Sequence, residues 1–261
     1  MYKKKKAMSE VAIVTCLFNG NKTTIKLPYG AFHYDTTWVD KLYRQVARNT
    51  TLAFDFICLV DEPDYEFSEP VQSVMLNNRR GGWLALTEMY RADITTLPRL
   101  TIGLDTLILK NIDDILSYRG FFAVCTDPSI SKHTLSSMGV IDGHDHEGNR
   151  PFDLRANCNA ITMATTPFIT DWHDMWAERR EEILTDQWHH FSGVTSEMMI
   201  IRNEYPFADR LDVLYPEKIY SYKHWIIDHP EALETASIVY YGGQPKQCHM
   251  LDKPWVAEAF R

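Results

Sequence analysis

The sequence has no surplus of positive charge: a formal charge of −8 and a pI of about 5.7 exclude a general basic footprint for nucleic acid, though a local basic groove stays open. It also has no long apolar run. The first hydrophobic stretch, Val11 to Phe18, is short, β-branched at its start and followed by no small-residue cleavage pattern. It therefore reads as a strand, not as a signal peptide or membrane span. Lys3 to Lys6, just ahead of it, read as a solvated terminus. No two of the five cysteines, at 16, 58, 125, 158 and 248, lie close together. That spacing excludes a zinc ribbon and points to reduced thiols in a cytoplasmic protein. Internal repeats, low-complexity segments and interdomain linkers are absent as well.

What is present is an ordinary globular pattern. With 45% hydrophobic and 24% charged residues over 261 positions, the chain can bury a full core as one large domain or two small ones. Strands are expected at Val11–Phe18, Phe54–Val60, Leu100–Leu109 and Phe121–Thr126. Thr36–Asn49 places Val39, Leu42, Tyr43 and Val46 on one helical face. Further helices are expected over Trp83–Ala92 and over Phe168–Leu184, where Trp172, Met175, Trp176 and Ile183 recur at helical spacing. The alternation argues for an α/β sheet. Stripes of this kind are core-forming before they are functional. From Ser131 to Leu154 the chain turns polar and glycine-rich, which predicts a long loop.

Leu100 to Leu116, LTIGLDTLILKNIDDIL, carries the strongest signal. Asp105 interrupts two apolar runs where an unpaired charge would be costly, so its carboxylate needs a partner. A metal ion or polar ligand at a strand end is one reading. A capping or salt-bridged aspartate in a turn is the other.

The order of segments VTCLFNGN, FDFICLVDEP, GGWLALTEMYR, LTIGLDTLILKNIDDIL, FFAVCTDP, RANCNAITM, LTDQW, SYKHW and IVYYGGQPK resembles small GT-A-type glycosyltransferases. The likeness is strongest to the glycogenin-like retaining group and its phage and bacterial relatives, and it runs from Val11 to Trp255. It implies one Rossmann-like nucleotide-diphospho-sugar transferase domain, a mixed sheet flanked by helices. Residues 9–127 would form the donor half, and residues 128–261 the acceptor half with a closing C-terminal loop.

The resemblance assigns roles position by position. Thr15, Cys16 and Asn19 lie where such enzymes grip the base and ribose of a nucleotide. Asp105 matches the last carboxylate of an Asp-x-Asp motif that holds Mn²⁺ or Mg²⁺ against the diphosphate, a cation that offsets charge on the leaving group. Asn157 matches the Asn of an Asn-Ser-Gly stretch. Asp186 and Gln187 match a sugar- or acceptor-contacting pair. Gly242, Gly243 and Lys246 match the loop that closes over the phosphates, Lys246 supplying a cation to the departing oxygen.

Three features depart from the pattern, at four positions. Gly103 stands in place of the first Asp, Tyr240 and Gly242 stand where histidines are usual, and Leu86 replaces a lysine. His249 or Asp252 could restore a metal ligand. Alternatively, Lys246, Arg79, Arg80 and backbone N–H groups could neutralise the phosphates without metal.

Other chemistry-bearing residues have two readings each. Asp142, His144, Asp145, His146 and Glu147 have metal-ligand types, but a solvated acceptor-side loop has the same composition. His189 and His190 have the same two readings, and His189, which follows the Asp-Gln pair closely, would on the functional one face the acceptor. Asp127 precedes Pro128 and is either near the reacting sugar or part of a turn. Among the seven Trp and thirteen Tyr, most serve packing, and only Trp83 and Trp188 stand out, by their neighbours.

The expected activity is transfer of a sugar from a nucleotide diphosphate donor, a UDP-sugar first, to an acceptor hydroxyl on a saccharide, a protein or a hydroxymethylated base of phage DNA. A DNA acceptor would require a positive groove, for which Arg79, Arg80, Lys132, Arg150 and Arg155 are available. A non-catalytic sugar-nucleotide binder is the main rival. A sugar nucleotidyltransferase is less well matched, because Asn19–Gly20–Asn21–Lys22 is short for the glycine- and basic-rich loop that it needs.

Overall fold

The computed structural model describes residues 8–18, 33–77, 82–126, 157–165, 201, 205 and 208–261. Among these, a seven-stranded sheet has the order β3-β2-β1-β4-β7-β6-β8. Its strands are β1 (Val11–Leu17), β2 (Phe54–Val60), β3 (Gln72–Met75), β4 (Arg99–Ile102), β6 (Phe122–Cys125), β7 (Asn157–Ala164) and β8 (Asp209–Arg210). A second sheet has the order β5-β10-β9, from β5 (Thr106–Ile108), β9 (Ile219–Ser221) and β10 (Ile238–Tyr240). The mixed α/β architecture expected from the sequence is the one observed.

β1 pairs in parallel with both β2 and β4, and β7 runs antiparallel between β4 and β6. Both faces of β1 are buried, which explains its unbroken apolar run. Val11, Ile13 and Leu17 pack with Trp38, Val39, Leu42 and Val46 of helix α1 (Thr36–Asn49). Ala12, Val14 and Cys16 face Ala85 and Met89 on the other side. α1 starts where its cap dictates, the Asp35 carboxylate accepting a 2.9 Å bond from the Thr37 backbone N–H.

α1 also shields an edge. Gln45 Oε1 accepts from the Ile108 N–H at 2.8 Å and Asn49 Nδ2 donates to the Ile108 carbonyl at 3.1 Å. Two side-chain amides thereby stand in for a neighbouring strand beside β5.

Two expectations are corrected in detail. Leu100–Leu109 is not one strand: β4 ends at Ile102 in the large sheet and β5 begins at Thr106 in the small one. The period-2 pattern is continuous, but Gly103 and Asp105 mark the change of sheet. The expected helix over Trp83–Ala92 is a 3₁₀ helix, Gly82–Tyr90. Its winding brings side chains three apart into register, and Glu88 in its last turn forms a buried 3.0 Å ion pair at that spacing with Arg91, just past its end.

Asp113 joins the end of α1 to the short helix α2 (Asp113–Leu116), accepting from the Thr50 and Thr51 hydroxyls, the Thr51 N–H and the Asn111 amide. Burial pulls its pKa up, but these hydrogen bonds outweigh it and hold the carboxyl well below its ordinary value. A carboxyl depressed by folding stabilises above its unfolded pKa, about 4, and the contribution is lost as the pH falls below that. Asp113→Asn should cost roughly 1–2 kcal/mol at pH 7 in urea denaturation, the order expected when hydrogen bonds to a charged acceptor are weakened. The gap to the parent should narrow steadily below about pH 4.

Candidate functional site

From β1 the chain winds outward through β2 and β3, then returns to place β4 on the opposite side of β1. That reversal makes the carboxyl ends of β1 and β4 a topological switch point, where open α/β sheets leave a ligand crevice. Asp105 lies just beyond the end of β4, where the chain passes from one sheet to the other. β7 begins at the same edge, and its first residue, Asn157, pairs with Cys125 across a register shift.

The C-terminal segment closes on this point. The Tyr241 N–H donates to the Asp105 carbonyl at 2.9 Å, continuing the β10–β5 pairing. Lys246, 141 residues further along the chain, places its ammonium on Asp105 Oδ2 and donates to the Tyr241 carbonyl at 2.8 Å. The Gln247 amide spans the backbone on both sides of Asp105, donating to the Leu104 carbonyl at 3.1 Å and the Thr106 carbonyl at 3.2 Å. The carboxylate partner required by the sequence is thus a lysine. The ion pair is largely removed from solvent, its side chains 10% exposed for Lys246 and 23% for Asp105.

Between Tyr241 and Lys246 the loop turns through Gly242 and Gly243. Gly243 is exposed and has φ +74°, with no atom within 4 Å of where a Cβ would sit. Glycine is needed there for its backbone sign, not for space.

Among the described residues, four buried polar atoms without a hydrogen-bond partner belong to the two segments that meet at Asp105: Thr106 Oγ1, Tyr241 Oη, Gln244 Oε1 and Gln247 Oε1. Native interiors rarely leave such atoms unmet, so each has bonding capacity that water or a polar ligand could use. Burial, then the Asp105 charge, then Cys248, push the Tyr34 phenol well above its ordinary pKa. Burial and the neighbouring Tyr222 do the same to Tyr241. Both phenols stay protonated at neutral pH. Burial also raises the Cys248 thiol, against backbone hydrogen bonding and the Lys246 and Lys41 charges.

The residues singled out in the sequence fall into three groups. Asp105, Lys246, Gly242 and Gly243 come together, with Asn157 at the same sheet edge by its backbone. Thr15 and Cys16 are near the carboxyl end of β1 but buried within the sheet, Cys16 in the core facing Met89 and Thr15 one residue away, its hydroxyl unpartnered among the described residues. Asn19, Asp186 and Gln187 lie outside the described residues, as do Arg79, Arg80, Asp127, His189 and the Asp142–Glu147 cluster. Tyr34, Tyr241 and Gln247 were not singled out; for Gln247 the usable signal was its adjacency to Lys246.

The described residues do not suit a divalent cation. No group of three or more His, Cys, Asp or Glu side chains among them could hold one. Asp105 Oδ2 already carries an ammonium. His249 Nδ1 accepts the Lys246 N–H at 3.0 Å, which places the proton of the neutral ring on Nε2. Ligation through Nε2 would require the other tautomer and would set two N–H groups against each other. Asp252 is exposed and turned to Lys253 at 3.5 Å.

No protein-family model matches the chain, and no curated protein matches it by sequence. Solved structures do. WbbM, a bifunctional glycosyltransferase in its apo form, superposes over 97% of this chain with a TM-score of 0.57 and 11% identity. This chain spans about half of that protein, 51% of its length. The galactosyltransferase LgtC, in complex with donor and acceptor sugar analogues, matches 95% of this chain and 93% of its own, with a TM-score of 0.55 and 12% identity. An active-site mutant of LgtC gives the same coverage and identity with a TM-score of 0.57. At these identities the likeness is one of fold, and the fold is GT-A.

Proposed function

We propose that this GT-A-fold protein is a glycosyltransferase that moves a sugar from a nucleoside diphosphate donor, a UDP-sugar in the first instance, to an acceptor hydroxyl. The observation that carries the reading is the meeting of Lys246 with Asp105 at the switch point of the sheet, two residues far apart in the chain and both matched to the donor-diphosphate site. In the reaction the bond between the anomeric carbon and the diphosphate oxygen breaks, and the electron pair leaves with the diphosphate. The acceptor oxygen bonds to the same carbon and loses its proton. Negative charge therefore grows on the leaving group, and a fixed cation beside it lowers the barrier. Lys246 fills that role, with the protonated phenol of Tyr34 close enough to feel the Asp105 charge. Asp186 and Gln187 are assigned to the sugar and acceptor on the resemblance.

A saccharide acceptor is favoured by the fold likeness to LgtC, a galactosyltransferase whose structure was solved with donor and acceptor sugar analogues. The test is transfer of label from a panel of UDP-sugars to oligosaccharides, to protein and to hydroxymethylated or unmodified DNA. Labelled oligosaccharide is the expected product. Equal counts on the two DNAs would remove the phage-DNA acceptor. Donor binding with neither hydrolysis nor transfer would replace the enzyme by a sugar-nucleotide binder.

A further inference from the structure

We propose that the Lys246 ammonium takes the place of a divalent cation in this site, so that the protein holds a nucleoside diphosphate without metal. The inference rests on the sugar-nucleotide reading above and deepens it at the same site.

Position is the first argument. The ammonium sits on Asp105, the one carboxylate that the GT-A pattern would offer to a metal, and it is steadied from the other side by the Tyr241 carbonyl. A second cation approaching that carboxylate would meet like charge at close range. The second argument is donor count. An ammonium has three N–H donors, and Asp105 and Tyr241 engage two of them, so one remains for a phosphate oxygen. The third is preorganisation. Lys246 is tied by its own N–H to His249, while Gln247 grips the backbone on either side of Asp105. Little is left to order when the anion arrives, and a pre-placed point charge is an effective phosphate ligand. The tautomer that His249 must adopt to accept from Lys246 points the same way, because it keeps the imidazole from acting as a metal ligand through Nε2.

The experiment is calorimetric titration of the full chain with UDP, GDP, ADP and CDP, in EDTA and again with Mn²⁺. The preferred nucleotide is expected to bind in both, with Kd values within about threefold of each other. Lys246→Met should weaken binding in EDTA by about tenfold or more, and Mn²⁺ should recover part of it because Asp105 has been released. Lys246→Arg, which keeps the charge, should bind in EDTA and guards against a folding defect in the Met variant. Parent protein that binds about tenfold more tightly with Mn²⁺ would overturn the inference and leave the sugar-nucleotide reading intact. Failure of all four nucleotides under both conditions would overturn both.

Discussion

Replacing Lys246 by methionine is expected to lower the rate of sugar transfer by about a hundred- to a thousandfold, the usual consequence of removing one preorganised charge from a leaving-group site. The stability cost should be smaller. Asp105 is 23% exposed and can draw in water when its partner is lost. The Tyr241 carbonyl loses a donor as well. A double-mutant cycle separates the two effects. Asp105→Asn together with Lys246→Met should regain much of the stability lost in the single variants, since neither charge is then left alone, while activity stays low. A double variant that recovered activity would show the pair to be purely structural.

Replacing Arg99 by methionine is expected to cost roughly 3–5 kcal/mol in equilibrium unfolding, because three carbonyls lose their donor together. Arg99 opens β4 and is buried, its guanidinium donating to the Met89, Arg91 and Thr95 carbonyls at 2.9, 3.0 and 2.9 Å. It thereby caps the carboxyl end of the 3₁₀ helix, where backbone acceptors have no helical partner. Burial pulls its pKa down to about 10, against the influence of Tyr90 and Asp93, and the group still carries its charge at neutral pH. Arg99→Lys should recover only a part, since one ammonium cannot span acceptors on both sides of a rigid fork. A loss below about 1 kcal/mol for the Met variant would mean that water replaces the guanidinium.

The elements that were legible in the sequence are those governed by nearby residues. Thr36–Asn49 could be read from end to end because its apolar residues recur at helical spacing within a few residues of each other. β1 and β2 could be read because both are apolar on both faces. β3 was missed: Gln72 and Ser73 are exposed and Val74 and Met75 half-buried, the look of an edge strand with little pattern. The break at Gly103–Asp105 was hidden because alternation says which way side chains point and not which sheet they join. Of the site, Asp105 announced itself as a charge among apolar residues, and Lys246 through its resemblance to a closing loop. Their direct contact was not legible, since no spacing in a sequence encodes a pairing across 141 residues. Gln247 was missed for the same reason. Its role lies in two backbone carbonyls of another segment.

The distance in chain between Asp105 and Lys246 also sets a timetable. As the polypeptide leaves the ribosome, β1 to β4 are available to pair long before Lys246 is polymerised, and translation adds only about 5–20 residues per second. For several seconds the nascent chain carries Asp105 without its counter-charge and β5 without β10, the strand that pairs with it. The Asp105–Lys246 contact is therefore among the late ones to be assembled, and a ribosome-bound chain halted before Tyr241 can pair β1 with β2 and β4 but leaves Asp105 without its lysine.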